Sequence, residues 1–240
     1  MSPSSPDRAR ELWASLARAP DTFPTSGEVS VVVSPGSWLC PPGWTGVIAL
    51  EGAILATVPD AGLVEPLRNA LLHLGGIDLA RLPELLPVLD VLGPATLAYL
   101  DAGDFIQADA PVESLPAGHP AVRALVASVA KDDAEESGLE EIASPAFVVR
   151  EGPDVIAAAG YRPWLDMAAH LSVLTAPRYR GRGLARLAAS AAVADALAIG
   201  LLPQWRARPE PSRRVARALG FREYGSQISV RLGRDRPDAV

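Results

Sequence analysis

Apolar positions recur along this chain with two periods, near 3.6 and 2, in blocks separated by proline and glycine. Leu12, Trp13 and Leu16 on one side predict a helix over 7–18. Val29–Val33 reads as a strand, and 34–46 as a loop holding Pro35-Gly36 and Pro41-Pro42-Gly43. Residues 47–50 and 53–58 read as strands paired around Glu51-Gly52. Leu63, Leu67, Leu71 and Leu74 stand about a turn apart and predict a helix over 63–74. Pro83 and Pro87 divide the leucine-rich 79–90 into short turns. Residues 95–100 make another strand. No chemical motif occurs up to Asp104, and 1–104 reads as an auxiliary α/β region.

A second block starts near Phe105. Residues 111–115 suggest a strand. Pro120 suits a helix start, and Val122, Leu125, Val126 and Val129 follow at amphipathic helical spacing. Strands are expected at 146–150 and 155–162, with Pro163 and Trp164 in a loop, and at 171–175. A small-residue stripe, Leu184, Leu187, Ala188, Ala191 and Ala198, predicts a helix over 182–199 that packs closely on a sheet and stops at Gly200. Residues 201–207 give a strand. Ser212 is the expected N-cap of a helix ended by Gly220. Residues 221–232 form the last strand, before a tail at 233–240.

Composition narrows the class. Half the chain is apolar (49%), enough for a sizeable core, and 28 acidic against 22 basic residues leave a net charge of −6. That balance argues against nucleic-acid binding and suits a cationic small substrate. Cys40 is the single cysteine, so neither an intramolecular disulfide nor a cysteine metal cluster is expected; no metal site is. Met1–Pro6 lacks an apolar signal core, and no segment reads as a membrane span. A cytoplasmic protein is expected, and a homodimer is compatible with the sequence.

The chemistry concentrates at one turn. A short strand ending at Thr175 and Pro177 leads into Arg178-Tyr179-Arg180-Gly181-Arg182-Gly183, then directly into the small-residue helix. Glycines leave backbone N–H groups uncovered, and a helix start adds unpaired donors and a positive dipole end; together they suit a phosphate. A dinucleotide-binding turn needs a third glycine where Arg186 stands, and a P-loop needs a Gly-Lys-Ser/Thr that is absent.

The turn matches Gln/Arg-x-x-Gly-x-Gly/Ala, and with Leu219-Gly220-Phe221 it resembles the GNAT superfamily of acyl-coenzyme A-dependent N-acetyltransferases over residues 105–232. The resemblance implies a mixed, mostly antiparallel central sheet flanked by helices. It implies acetyl-coenzyme A as co-substrate, with the backbone of Leu174 and Thr175 on the pantetheine and the N–H groups of Arg180, Gly181, Arg182, Gly183, Leu184 and Ala185 on the pyrophosphate. Relatives often carry a catalytic tyrosine where this chain has Ala216, and an asparagine where it has Pro209.

An amine acceptor must lose a proton, so a base is needed. Candidates are His170, at the head of the cofactor strand, and Glu136, Glu140 and Glu141, from a run of six carboxylates that reads either as a solvated face or as a mouth for an amine. Either Tyr224 or Tyr179 substitutes for the missing acid, or no acid is needed. Arg206, Arg208, Arg213, Arg214 and Arg217 cluster around the closing helix, with Arg213 a candidate for the 3′-phosphate. The expectation is acyl transfer, chiefly acetyl, to an amine. The alternative is a catalytically silent acyl-coenzyme A sensor. A third reading makes 1–104 a degenerate copy of the same fold.

Overall fold

The structure, a computed structural model, describes residues 3–18, 23–75, 78–108 and 111–233; the expected tail at 234–240 lies outside them. Helix α1 (Ser5–Ala17) is closed by its cap: Ser4 donates to Asp7 Oδ2 from its backbone N–H at 3.3 Å and from its hydroxyl at 2.6 Å. Strands β1 (Val29–Val33), β2 (Thr45–Leu50) and β3 (Ala53–Val58) follow, then α2 (Val64–Leu74), the single turn α3 (Leu82–Leu85) and β4 (Val88–Tyr99). Strand β4 begins earlier than the leucine pattern suggests. Val88 and Val91 pack on a buried apolar core, and that burial extends the strand over residues read as turns.

Next come β5 (Glu113–Leu115), α4 (Pro120–Ala127), α5 (Lys131–Ser137), a 3₁₀ turn at Leu139–Glu141, β6 (Ala146–Glu151), β7 (Asp154–Trp164) and β8 (Ala168–Thr175). A 3₁₀ turn at Pro177–Tyr179 leads to α6 (Leu184–Ala198), β9 (Leu202–Ala207), α7 (Glu210–Ala218) and β10 (Arg222–Leu232). The chain divides into two compact units, Met1–Leu97 with Glu223–Val240, and Ala98–Arg222.

In the first unit the strands pair in the order β1-β3-β2-β10-β4. The β1/β3 pair is parallel, while β2 is antiparallel to β3 and to β10. Leu67, Leu71, Leu79 and Leu82 close over Val47, Ile54, Ala56 and Ile228 to form its core.

In the second unit the order is β9-β8-β7-β6-β5, antiparallel except for the parallel pair β8/β9. Parallel neighbours need a crossover, which α6 supplies. Its Ala188, Ala189, Ala192, Val193 and Ala196 are buried on Ala159, Tyr161, Ala169 and Leu171. Small side chains bring the helix close to the sheet. On the opposite face Leu125, Val126 and Leu139 cover Val148, Ala158 and Leu174. Successive strand residues therefore alternate between two cores. The mixed, mostly antiparallel α/β class is as the sequence implied.

Three local features differ. Pro163 and Trp164 lie within β7, because the chain reverses at Leu165 and Asp166, both at φ 53. Non-glycine residues seldom take that conformation, so the reversal left no glycine signal. His170 accordingly sits inside β8 rather than at its head. Helix α7 starts at Glu210 behind Pro209, and the expected cap Ser212 instead accepts a hydrogen bond from Trp205 Nε1 at 3.0 Å.

The Leu219-Gly220-Phe221 step is fixed sterically. Gly220 has φ 96, and a Cβ there would stand 2.0 Å from the Asp104 carbonyl oxygen. Leu219 and Phe221 are both buried beside it. Gly220→Ala is expected to destabilise the chain by about 2 kcal/mol or more, through backbone strain and overpacking. Gly152→Ala, at φ 59 with open space around the added carbon, carries only the strain, about 1 kcal/mol. Urea denaturation of the two variants measures the difference.

Candidate functional site

Strand β8 pairs with β7 along its whole length, from Ala168 to Thr175. Its other edge behaves differently. The parallel register with β9 runs Ala168↔Leu202, Ala169↔Pro203, His170↔Gln204, and ends there, although β8 continues to Thr175 and β9 to Ala207. The two strands part, and the edge of Leu171–Thr175 faces the gap. Backbone groups on such an edge have hydrogen-bonding capacity to offer an extended ligand.

The gap leads to the glycine turn. Gly181 and Gly183 have φ 78 and 79, and a Cβ on either would meet nothing within 4 Å. Leu187 N–H donates to the Gly183 carbonyl at 3.2 Å, opening the ladder of α6. The N–H groups of Leu184, Ala185 and Arg186 precede that ladder and crown the helix start. Two side-chain atoms nearby, Thr175 Oγ1 and Arg186 Nε, are buried without a hydrogen-bond partner. Polar atoms so placed are costly unless a ligand or water completes them. An open glycine cradle, a helix start and orphaned polar atoms together fit a phosphate-bearing donor with an extended arm.

Arg180 ties this turn to its surroundings. Its Nε donates to the Thr175 carbonyl at 3.2 Å, and its Nη2 meets Asp133 of α5 at 2.8 Å. Arg182 lies over the Tyr179 ring at 5.1 Å, and the Tyr179 hydroxyl donates to Glu151.

At the point where β8 and β9 part, His170 Nδ1 stands 3.2 Å from Gln204 Oε1, and Gln204 Nε2 donates to the buried Tyr99 hydroxyl at 3.2 Å. The amide orientation makes Nδ1 the donor and leaves Nε2 with its lone pair. Trp164 stacks on the imidazole, with centroids 4.3 Å apart and planes 19° apart. Burial pushes the His170 pKa down to about 3, and the charges of Arg206 and Arg162 push the same way against the Gln204 hydrogen bond. The sequence suggested an imidazole titrating near neutrality; in this setting it is neutral there. Gln204, Tyr99 and Trp164 were not legible as site residues, since Tyr99 lies 105 positions from Gln204.

The acidic run forms two short helical pieces, α5 and the turn Leu139–Glu141. Asp133 pairs with Arg180, Glu136 with Arg208 through both carboxylate oxygens, and Glu141 with Arg162 at 3.0 Å. Ser172 of β8 donates to the Gly138 carbonyl at 3.1 Å. Glu140 is exposed. Three of its carboxylates thus hold the segment to Arg180, Arg208 and Arg162, while all but Asp133 lie on exposed residues, as on a solvated face.

Arg213 and Arg217 of α7 both meet Glu210, Arg213 at 3.7 Å. Ala216, where relatives carry a tyrosine, is buried in the apolar core and offers no acid. Tyr224 belongs to the first unit, where its carbonyl accepts from Glu51 N–H at 2.9 Å. Cys40 is quiet: burial raises its thiol to about 11. Among the described residues no group of His, Cys, Asp or Glu is arranged to hold a metal ion, and no helix is long and apolar enough to cross a membrane.

Comparison with known proteins agrees with this geometry. Residues 145–226, about a third of the chain, match the family model of the GNAT acetyltransferases. No curated protein matches. Among solved structures it is similar to a protein of Novosphingobium aromaticivorans described as an acetyltransferase from the GNAT family, at 26% identity and TM-score 0.48, covering 60% of this chain and 65% of that one. A GCN5-related N-acetyltransferase from Kribbella flavida is 19% identical at TM-score 0.48, covering 63% of this chain and 62% of that one. The chain thus spans less than two thirds of either.

The depressed His170 pKa gives a stability prediction. Unfolded, the imidazole takes a proton as pH falls through its ordinary 6.5; folded, it resists until about 3. The unfolded state therefore binds more protons across that window, and stability present above pH 6.5 is lost as pH falls toward 3. His170→Asn should flatten this slope, measured as the urea midpoint against pH for both proteins.

Proposed function

We propose that this chain transfers an acyl group, acetyl in the first instance, from acyl-coenzyme A directly to an amine. The domain is read as residues 105–232 with 1–104 as an auxiliary region, although its last strand, β10, falls almost wholly in the first compact unit. The observation that carries the reading is the parting of β8 and β9 beyond His170 and Gln204, which leads straight to the Gly181–Gly183 turn. The match to the GNAT acetyltransferases supports acetyl-coenzyme A as the donor.

The residues take distinct parts. Backbone groups of Leu174 and Thr175 hold the extended arm, and the N–H groups from Arg180 to Ala185 hold the pyrophosphate at the start of α6. Arg213 of α7 is the candidate for the 3′-phosphate. Orientation of the thioester next to the amine supplies much of the rate. The amine attacks as the free base; an N–C bond forms, the C–S bond breaks, the amine loses a proton and the thiolate gains one. His170, neutral with Nε2 open, accepts a hydrogen bond from the amine and orients its lone pair. With so low a pKa it holds little of the transferred proton, and Glu136, Glu140 or Glu141 receives it, directly or through water. Nothing in this scheme requires a metal, and the protein is read as cytoplasmic.

Release of free thiol from acetyl-coenzyme A, measured against a panel of amines, tests the activity. Turnover with at least one amine is expected. Calorimetric binding of acetyl-coenzyme A without thiol release for any amine would make the chain a sensor instead. Gly183→Leu is expected to weaken coenzyme A binding at least about a hundredfold, because its side chain would fill the cradle and its φ of 79 disfavours it. Unchanged affinity would remove the turn from the site.

A further inference from the structure

Of the 22 basic residues in this chain, every one but Lys131 is an arginine. The two side chains differ in what an acyl donor can do to them. A lysine amine can give up its proton and attack a thioester, whereas a guanidinium keeps its charge and its electrons stay delocalised. The glycine turn carries Arg178, Arg180 and Arg182, and α6 adds Arg186. Arg162 and Arg208 hold the acidic segment beside it. None of these arginines can take the acyl group in place of the acceptor. Lys131 opens α5, and α5 is held along the open stretch of β8 at both ends. Asp133 meets Arg180, which donates to the Thr175 carbonyl, and Ser172 donates to the Gly138 carbonyl just past the helix. Residues two apart on a helix stand about 200° apart around its axis. Asp133 faces the glycine turn, so Lys131 faces away from it. The Lys131 side chain is 84% exposed, and its Nζ stands 3.4 Å from Glu135 Oε1, one turn on. The chain's single lysine amine thus sits on the rim of the donor site, turned outward, with a carboxylate beside it.

We propose that Lys131 is a self-acylation site: the acyl group held by one copy of the chain is transferred to Lys131 of a second copy. The inference rests on the acyltransferase reading and adds an acceptor to it, the chain itself. Lys131 Nζ attacks as the free amine. The N–C bond forms, the C–S bond breaks, Glu135 or water takes the amine's proton, and the coenzyme A thiolate is protonated on release. Because Lys131 points away from its own donor turn, the group comes from another copy. Acylation removes the single basic residue of α5 and leaves its carboxylates at the positive end of the helix dipole, where negative charge is favoured.

The test uses the full chain with isotopically labelled acetyl-coenzyme A, and tandem mass spectrometry of peptides locates the label. Label on Lys131 of the wild type should exceed that on Gly183→Leu at least about tenfold, as weakened donor binding dictates. Desulfo-coenzyme A, which lacks the thiol and competes for the donor site, should suppress the wild-type label by a similar factor; this readout needs no variant to fold. Gly183→Leu keeps Lys131, and Lys131→Arg keeps the donor site. In a mixture of the two, label should appear on Lys131 of the Gly183→Leu chain. Four results would overturn the proposal: no label on Lys131, equal label on Gly183→Leu alone, a wild-type label indifferent to desulfo-coenzyme A, or a label that does not cross in the mixture. Amine turnover by the wild type and Lys131→Arg, with no label on Lys131, would refute this inference alone. Coenzyme A binding with neither label nor turnover would refute the transferase reading as well.

Discussion

The pairing of His170 with Gln204 is the point on which the rest of the second unit turns. Before it, β8 is a strand held on both edges; after it, only β7 holds it. A parallel pair joined by a helical crossover has no tight turn to keep its far ends together. The divergence therefore depends on what fills the space between the strands and on how the crossover begins. Here the crossover begins at two glycines with positive φ, and its first N–H groups face the opening. One ligand with an extended polar arm and a phosphate head satisfies both the open strand edge and the helix start. The same junction carries the chain of Tyr99, Gln204 and His170, so the sheet's last tie also orients the imidazole.

The acidic segment between α4 and β6 shows how weak interactions can position a wall. Its ion pairs with Arg180, Arg162 and Arg208 lie at the surface, where each contributes at most about 1 kcal/mol. Their use is geometric. They set α5 and its following turn against the glycine turn, β7 and β9 at three separate places. Arg180 takes part in both the glycine turn and this wall, through the Thr175 carbonyl and Asp133.

Legibility in the sequence followed the range of the interactions involved. The glycine turn, the helix after it and the Leu219-Gly220-Phe221 step are written in neighbouring residues, but the helix buries Ala188, Ala189, Ala192, Val193 and Ala196 rather than the predicted stripe of Leu184, Leu187, Ala188, Ala191 and Ala198. The reversal at Leu165 and Asp166 was hidden, because neither residue advertises a positive φ. Ser212 had the chemistry of a cap, but Trp205 engages its hydroxyl and Pro209 starts the helix. Contacts between distant positions were the least readable. Glu136 meets a residue 72 positions away and Asp133 one 47 positions away, so a run of carboxylates could be seen while its partners could not.

Electrostatics at His170 reverse what bulk composition suggests. An acidic chain should welcome a cation, and an unperturbed histidine should share a proton near neutrality. Burial beside a stacked tryptophan, with the charges of Arg206 and Arg162 acting the same way, changes the second expectation. Burial removes the water that would stabilise an imidazolium, and the neighbouring guanidinium groups add repulsion, so the ring stays neutral and serves as an acceptor.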